Sequence, residues 1–110
     1  MSPRDQLIKG HVDLLLLAAL EEGPGHGYSL IQRLRFKNSE FLDLPQGTVY
    51  PTLHRLEQAG LVSSGWERRS GRKLRVYALS PKGREALGLR REEWCGFTRA
   101  VGTVLGVSNV

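Results

Sequence analysis

At 110 residues with 40% apolar content, the chain has the size and composition of about one folded domain. Its longest apolar run, Leu14 to Leu20, falls short of the ~20 residues a membrane span needs. The residues before Val12 lack the apolar stretch of a secretory signal, and the single Cys95 permits no internal disulfide, so a cytoplasmic protein without membrane contact is expected. The net charge of +5 suits an acidic partner such as nucleic acid, and it is concentrated: Arg68, Arg69, Arg72, Lys73 and Arg75 stand against Glu67 alone.

In chain order, residues 4–22 read as one helix. Leu7, His11, Leu14, Leu15 and Ala18 follow helical spacing, and Leu16, Leu17 and Leu20 widen the stripe. Part of so broad an apolar surface is expected to face a second subunit. Gly23, Pro24 and Gly25 end it. A second helix is expected over 26–37, with Tyr28, Leu30, Ile31 and Leu34 inward and Gln32, Arg33 and Arg35 outward. Residues 38–44 read as a loop anchored by Phe41, Leu42 and Leu44.

A third helix is expected over 46–60. Val49, Leu53, Leu56 and Ala59 form its inner face and Gly60 suits its C-terminal cap. Pro51 fits best in a first turn, so either the helix starts near Val49 or its opening turn is distorted. The outward positions carry Thr48, Thr52, His54, Arg55 and Gln58. Residues 61–69 and 73–79 then read as two strands joined through Ser70 and Gly71. In the second strand Leu74, Val76 and Ala78 share one face, and Arg75, Tyr77 and Leu79 the other.

Ser80 as cap and Pro81 as first residue open a last helix, 81–105. On it Leu87, Trp94, Phe97, Val101 and Val104 fall at heptad spacing, with Arg90 the polar intruder. A narrow seam of this kind packs on another helix, and a second copy of the chain is the natural partner. With Leu7 and Leu14 of the first helix, these residues form the expected dimer interface.

Three helices, a basic hairpin and a long helix make an α+β chain, mostly α. The arrangement is a winged helix-turn-helix unit, 1–80, followed by a dimerisation helix, 81–110, within one compact body. The second helix of such a motif lies in the major groove, which here is the 46–60 helix. Arg pairs with guanine edges, Gln with adenine, and Thr with a thymine methyl or phosphate. The expected base- and backbone-contacting residues are therefore Thr48, Tyr50, Thr52, His54, Arg55 and Gln58. Tyr50 either reaches phosphate through its hydroxyl or simply packs. At the hairpin tip Gly71 allows close backbone approach, and Arg72 and Lys73 follow it as phosphate or minor-groove contacts.

Three blocks resemble the PadR family of transcriptional regulators. They are Gly25-His26-Gly27-Tyr28, then the run from Gly47-Thr48-Val49-Tyr50-Pro51-Thr52-Leu53-His54-Arg55 to Leu61-Val62, and Arg75-Val76-Tyr77-Ala78-Leu79-Ser80-Pro81-Lys82-Gly83. The resemblance implies a homodimer that binds double-stranded DNA, usually a repressor released by a small-molecule or stress signal. It also implies that tryptophans on paired terminal helices flank a cavity for flat aromatic compounds. Trp94 stands at the matching place, with Phe97 beside it as a second ligand contact, and Arg90 is a departure that narrows or polarises such a cavity.

Other chemistries have little footing. His11, His26, His54 and Cys95 show no zinc spacing, and His26 reads as a helix cap or packed residue, so no metal or cofactor is expected. Cys95 has no His or Asp at motif spacing, and no glycine loop or paired acids suggest catalysis, so no catalytic residue is assigned. Two other functions remain open: a winged helix used for protein contact, and a dimer that sequesters small molecules.

Overall fold

The computed structural model describes residues 3–37, 42 and 44–107. The elements are α1 (Pro3–Lys9), α2 (Val12–Glu21), α3 (Gly27–Lys37), α4 (Gln46–Gln58), β1 (Val62–Arg69), β2 (Arg72–Leu79) and α5 (Pro81–Leu105). The expected order is present, with one division more: the first helix is two helices. Gly10, poor at holding helical backbone, and His11, with φ −130° and ψ 15°, interrupt it. The periodicity of Leu7, His11 and Leu14 runs across the break and conceals it.

The core gathers Leu16, Leu17 and Leu20 of α2, Leu30 of α3, Val49 and Leu53 of α4, and Leu87 of α5, all fully buried. Leu44 joins this cluster and Leu42 is half-buried, as expected of loop anchors; Phe41 lies outside the described residues. Arg33 does not face out. Its guanidinium donates to the carbonyls of Ala19 (3.1 Å), Gly23 (2.6 Å) and Pro24 (2.6 Å), pinning α3 to the open C-terminal end of α2. His26 caps α3, its Nδ1 accepting from the Ser29 N–H at 3.4 Å. Gly25 exchanges two backbone hydrogen bonds with Tyr77, at 3.0 and 2.9 Å, tying this turn to the base of the hairpin.

Of the two readings left by Pro51, a start near Val49 is overturned: α4 runs from Gln46 through Pro51. In the turn where Pro51 brings no N–H, the Thr52 hydroxyl donates to the Thr48 carbonyl at 2.8 Å. At the far end Gly60 adopts φ 79°, and the Leu61 N–H reaches back to the Leu56 carbonyl at 2.9 Å, closing the helix with a left-handed cap.

β1 and β2 pair antiparallel from Val62↔Leu79 to Arg69↔Arg72. Ser70 (φ 51°) and Gly71 (φ 75°) both take positive φ, the signature of a two-residue type I′ hairpin turn. Val76 and Tyr77 are both buried, so the hairpin base is covered on both faces rather than one.

Ser80 caps α5 by accepting from the Gly83 N–H at 3.0 Å while donating to the Gly60 carbonyl at 2.7 Å. Lys82 reaches the Ala59 carbonyl at 3.0 Å. A Cβ at Gly83 would collide with the Leu61 carbonyl, so glycine lets α5 cross the α4–β1 junction.

Further along α5, Arg90 pairs with Asp13 at 2.7 Å and Arg91 with Glu21 at 2.8 Å. The hydrogen bond from Arg91 holds the Glu21 carboxyl below the usual carboxylate range. Leu87 is a correction. It is 1% exposed inside the chain's own core, where α5 packs on α2 and β2. It therefore offers no surface to a partner.

Candidate nucleic-acid interface

One face of α4 is polar and open. Gly47, Tyr50, Pro51, His54, Arg55 and Gln58 are exposed and recur at helical spacing, and Thr48 is half-buried at their edge. Thr52 is a second correction: it is 1% exposed and faces the core. Its hydroxyl is fully used, donating to the Thr48 carbonyl and accepting from Arg55 Nη2 at 3.1 Å. Thr52 is thus a prop for Arg55, and the outward row loses one member.

Tyr50 both packs and emerges. A Cβ built on Gly27 would lie 2.5 Å from its Cε1 and 2.9 Å from its hydroxyl oxygen. With this placement of the ring a side chain at 27 would meet it, so glycine lets the Tyr50 ring lie against α3. Tyr50 nevertheless stays 45% exposed on the open face of α4.

The wing tip carries Gly71, Arg72 and Lys73, all exposed, and a Cβ at Gly71 would meet nothing. Arg69 is drawn to Glu67 at 3.2 Å. Lys73 Nζ sits 5.5 Å from the Trp66 ring centroid and the Arg75 guanidinium 5.1 Å from it. Trp66, an apolar residue of the first strand that its type would place in packing near the wing base, stands in the open instead. It is 58% exposed and serves as a platform for these two cations.

Arg75 also joins Ser64 and Glu57, a link that residue types alone did not reveal. The signal was present in the Ser70–Gly71 turn, which fixes the register and places Trp66 opposite Arg75.

The terminal-helix residues form a shallow cleft of 280 Å³ lined by His11, Asp13, Arg90, Glu93, Trp94 and Phe97 among others. The Trp94 ring meets His11 edge-on at 4.7 Å and lies 6.1 Å from Phe97. The polar intruder Arg90 is neutralised by Asp13 at the rim of this cleft. Phe97 (59%) and Val104 (85%) are exposed apolar side chains on the same helix, and Val101 and Leu7 are exposed as well. Leu14 is half-buried. Among the described residues no three His, Cys, Asp or Glu side chains come together as a metal site. No described helix is long and apolar enough to cross a membrane.

An open polar helix behind a helix-turn-helix bend, followed by a cationic hairpin, defines a winged helix-turn-helix chain of the kind that binds DNA. Comparison with known proteins agrees. Residues 16–89 match the transcriptional regulator PadR-like family. A transcriptional regulator of Mycobacterium tuberculosis is 41% identical over 76 residues, covering 69% of this chain and 68% of that one.

Among solved structures, a transcriptional regulator from Clostridium thermocellum superposes with a TM-score of 0.82 at 26% identity, covering 89% of this chain and 96% of that one. A PadR family transcriptional regulator from Eggerthella lenta gives 0.80 at 27% identity, covering 94% and 88%. The chain belongs to the PadR-like family of transcriptional regulators.

Proposed function

We propose that the chain is a repressor that binds an inverted-repeat operator as a homodimer and leaves it when a small aromatic molecule binds. The observation that carries the DNA reading is the open row on α4 joined to a cationic wing tip. Arg55, His54, Gln58 and Thr48 would read base edges in the major groove, with Tyr50 at the backbone. Gly71, Arg72 and Lys73 would meet phosphates or the minor groove. Residues 1–80 would do this work, in the cytoplasm, while residues 81–110 pair the subunits.

The pairing reading rests on the exposed apolar row of α5. Trp94, Phe97, Val101 and Val104 have the spacing of a helix–helix seam and lie outside the core cluster; Leu14, half-buried against that cluster, lines the same cleft, and exposed Leu7 of α1 would join the seam. Pairing there would set two recognition helices about one DNA turn, roughly 34 Å, apart. The Trp94–Phe97 cleft lies along this seam. A flat ligand stacking there would shift the equilibrium between spacings only through unequal affinity for them.

The test is selection of the full chain against random duplex DNA at near-physiological salt. Recovery of an inverted repeat with half-sites about one turn apart is the expected result. Recovery of no motif, with binding that vanishes in salt, would leave only charge attraction and return the protein-contact and sequestering readings.

A further inference from the structure

The hairpin that carries the wing tip is held to the recognition helix at one polar junction. Val62 and Tyr77 belong to the core, but toward the tip every hairpin residue from Ser63 to Arg75 is half or fully exposed. Apolar packing therefore stops at the hairpin base, and a two-stranded hairpin is marginal by itself.

Where packing stops, three side chains from three elements meet. Ser64 Oγ on β1 donates to Glu57 Oε2 on the last turn of α4 at 2.5 Å. Arg75 Nε on β2 donates to Ser64 Oγ at 2.9 Å. Arg75 Nη2 stands 3.7 Å from the other carboxylate oxygen, Glu57 Oε1. Both oxygens of one carboxylate are engaged, one by each strand. The Trp66 ring lies against the guanidinium, 5.1 Å away at its centroid.

We propose that Glu57, Ser64 and Arg75 form a positioning brace that fixes the angle between wing and recognition helix, so that Arg72 reaches the DNA backbone while α4 lies in the major groove. The proposal rests on the DNA-binding reading above. Its force is geometric. Strands rise about 3.3 Å per residue, which puts the tip roughly 18 Å beyond the brace. A hinge of about 10° there moves the tip by about 3 Å, more than a charge-assisted hydrogen bond tolerates. A half-exposed ion pair adds little to stability, but the hydrogen bonds from Ser64 to Glu57 Oε2 and from Arg75 Nε to Ser64 are directional and fix the angle. Arg75 is thereby turned toward α4 and acts through Arg72 rather than on DNA.

The test is a double-mutant cycle between Glu57→Gln and Arg72→Ala, two changes that touch no common atom. The probe is the duplex that the full chain selects from the random pool, and the readouts are affinity and the chain's melting temperature. Glu57→Gln is expected to weaken binding by about 3-fold or more and to shrink the Arg72→Ala penalty by a similar factor. Ser64→Ala should behave likewise, and Ser64→Thr, which keeps the hydroxyl, should restore binding.

If Glu57→Gln lowers the melting temperature, the Ser64 pair decides. An Arg72→Ala penalty that is the same with and without Glu57, or equal loss in Ser64→Ala and Ser64→Thr, overturns the brace. If Arg72→Ala costs the wild type nothing, there is no wing contact to position and the brace falls with it. A wild-type chain that selects no duplex removes the DNA reading itself, a failure visible before any variant is made.

Discussion

Gly27 shows how one hydrogen in place of a methyl group shapes the interface. The Tyr50 ring occupies the space a Cβ would need, so Gly27→Ala forces the ring outward or bends α3 away. Because the ring end is half-exposed and can give way, the cost falls toward the low end of the range, about 1–3 kcal/mol, seen for overpacking a core. We expect the loss in urea unfolding, together with weaker DNA binding because Tyr50 leaves its place against Gly27. Tyr50→Ala in the same chain should recover most of the stability; full additivity of the two changes would show that the contact carries no strain.

The exposed arginines should separate by role. Arg55→Ala should cost about 1–3 kcal/mol at one base position and relax preference there, whereas Arg72→Ala should weaken all sequences and lower the salt slope by about one unit. Binding assays on single-position operator variants across a salt series check both.

On α4, residue identity misled at Thr52. Helical geometry sets it about 60° from Val49 and about 40° from Leu56, at the margin of the inner face. A threonine at that margin can be buried without an orphaned hydroxyl, because the carbonyl four residues back accepts from it.

At the scale of elements, local rules that act within one turn were the most legible. The Ser80–Pro81 start of α5, the Gly60 end of α4 and the Ser70–Gly71 hairpin turn each depend on a residue type with one dominant conformational use, and each stands where the sequence puts it. The split at Gly10–His11 was hidden because the apolar stripe continues across it and a stripe reports direction, not backbone continuity. The brace was hidden because it joins residues 57, 64 and 75, and only the register of the hairpin brings the last two together.

Ser80 has a tertiary duty besides its cap, since it also donates to the Gly60 carbonyl. Ser80→Ala should therefore cost more than a bare cap, toward the upper end of about 0.5–2 kcal/mol. Ser80→Asp, which accepts from the helix but cannot donate to Gly60, should recover only part of that loss. Thermal and urea unfolding of the two variants make the comparison, and full recovery by Asp would mean that the Gly60 bond contributes nothing.

At the scale of the whole molecule, α5 changes allegiance along its length. Its heptad spacing is uniform from Leu87 to Val104, so the sequence assigns every position to one seam. Its surroundings nevertheless change along its 25 residues. The first turns bury Leu87 in the core; Arg90 and Arg91 then clip the helix to Asp13 and Glu21; beyond them Phe97 and Val104 stand open.

Two substitutions on this one stripe should therefore act on different equilibria. Leu87→Ala should destabilise the protomer by about 2–5 kcal/mol through a cavity. Phe97→Glu should leave protomer unfolding at low concentration nearly unchanged, because the ring is already in water there. It should instead abolish association seen by sedimentation, since a carboxylate in a helix–helix seam is buried without a partner. The same variant should bind an isolated half-site like the wild type yet lose the gain from a second half-site one turn away, a gain that comes only from linking two sites in one body. If Phe97→Glu still sediments as a dimer and keeps that gain, the seam lies elsewhere on the molecule.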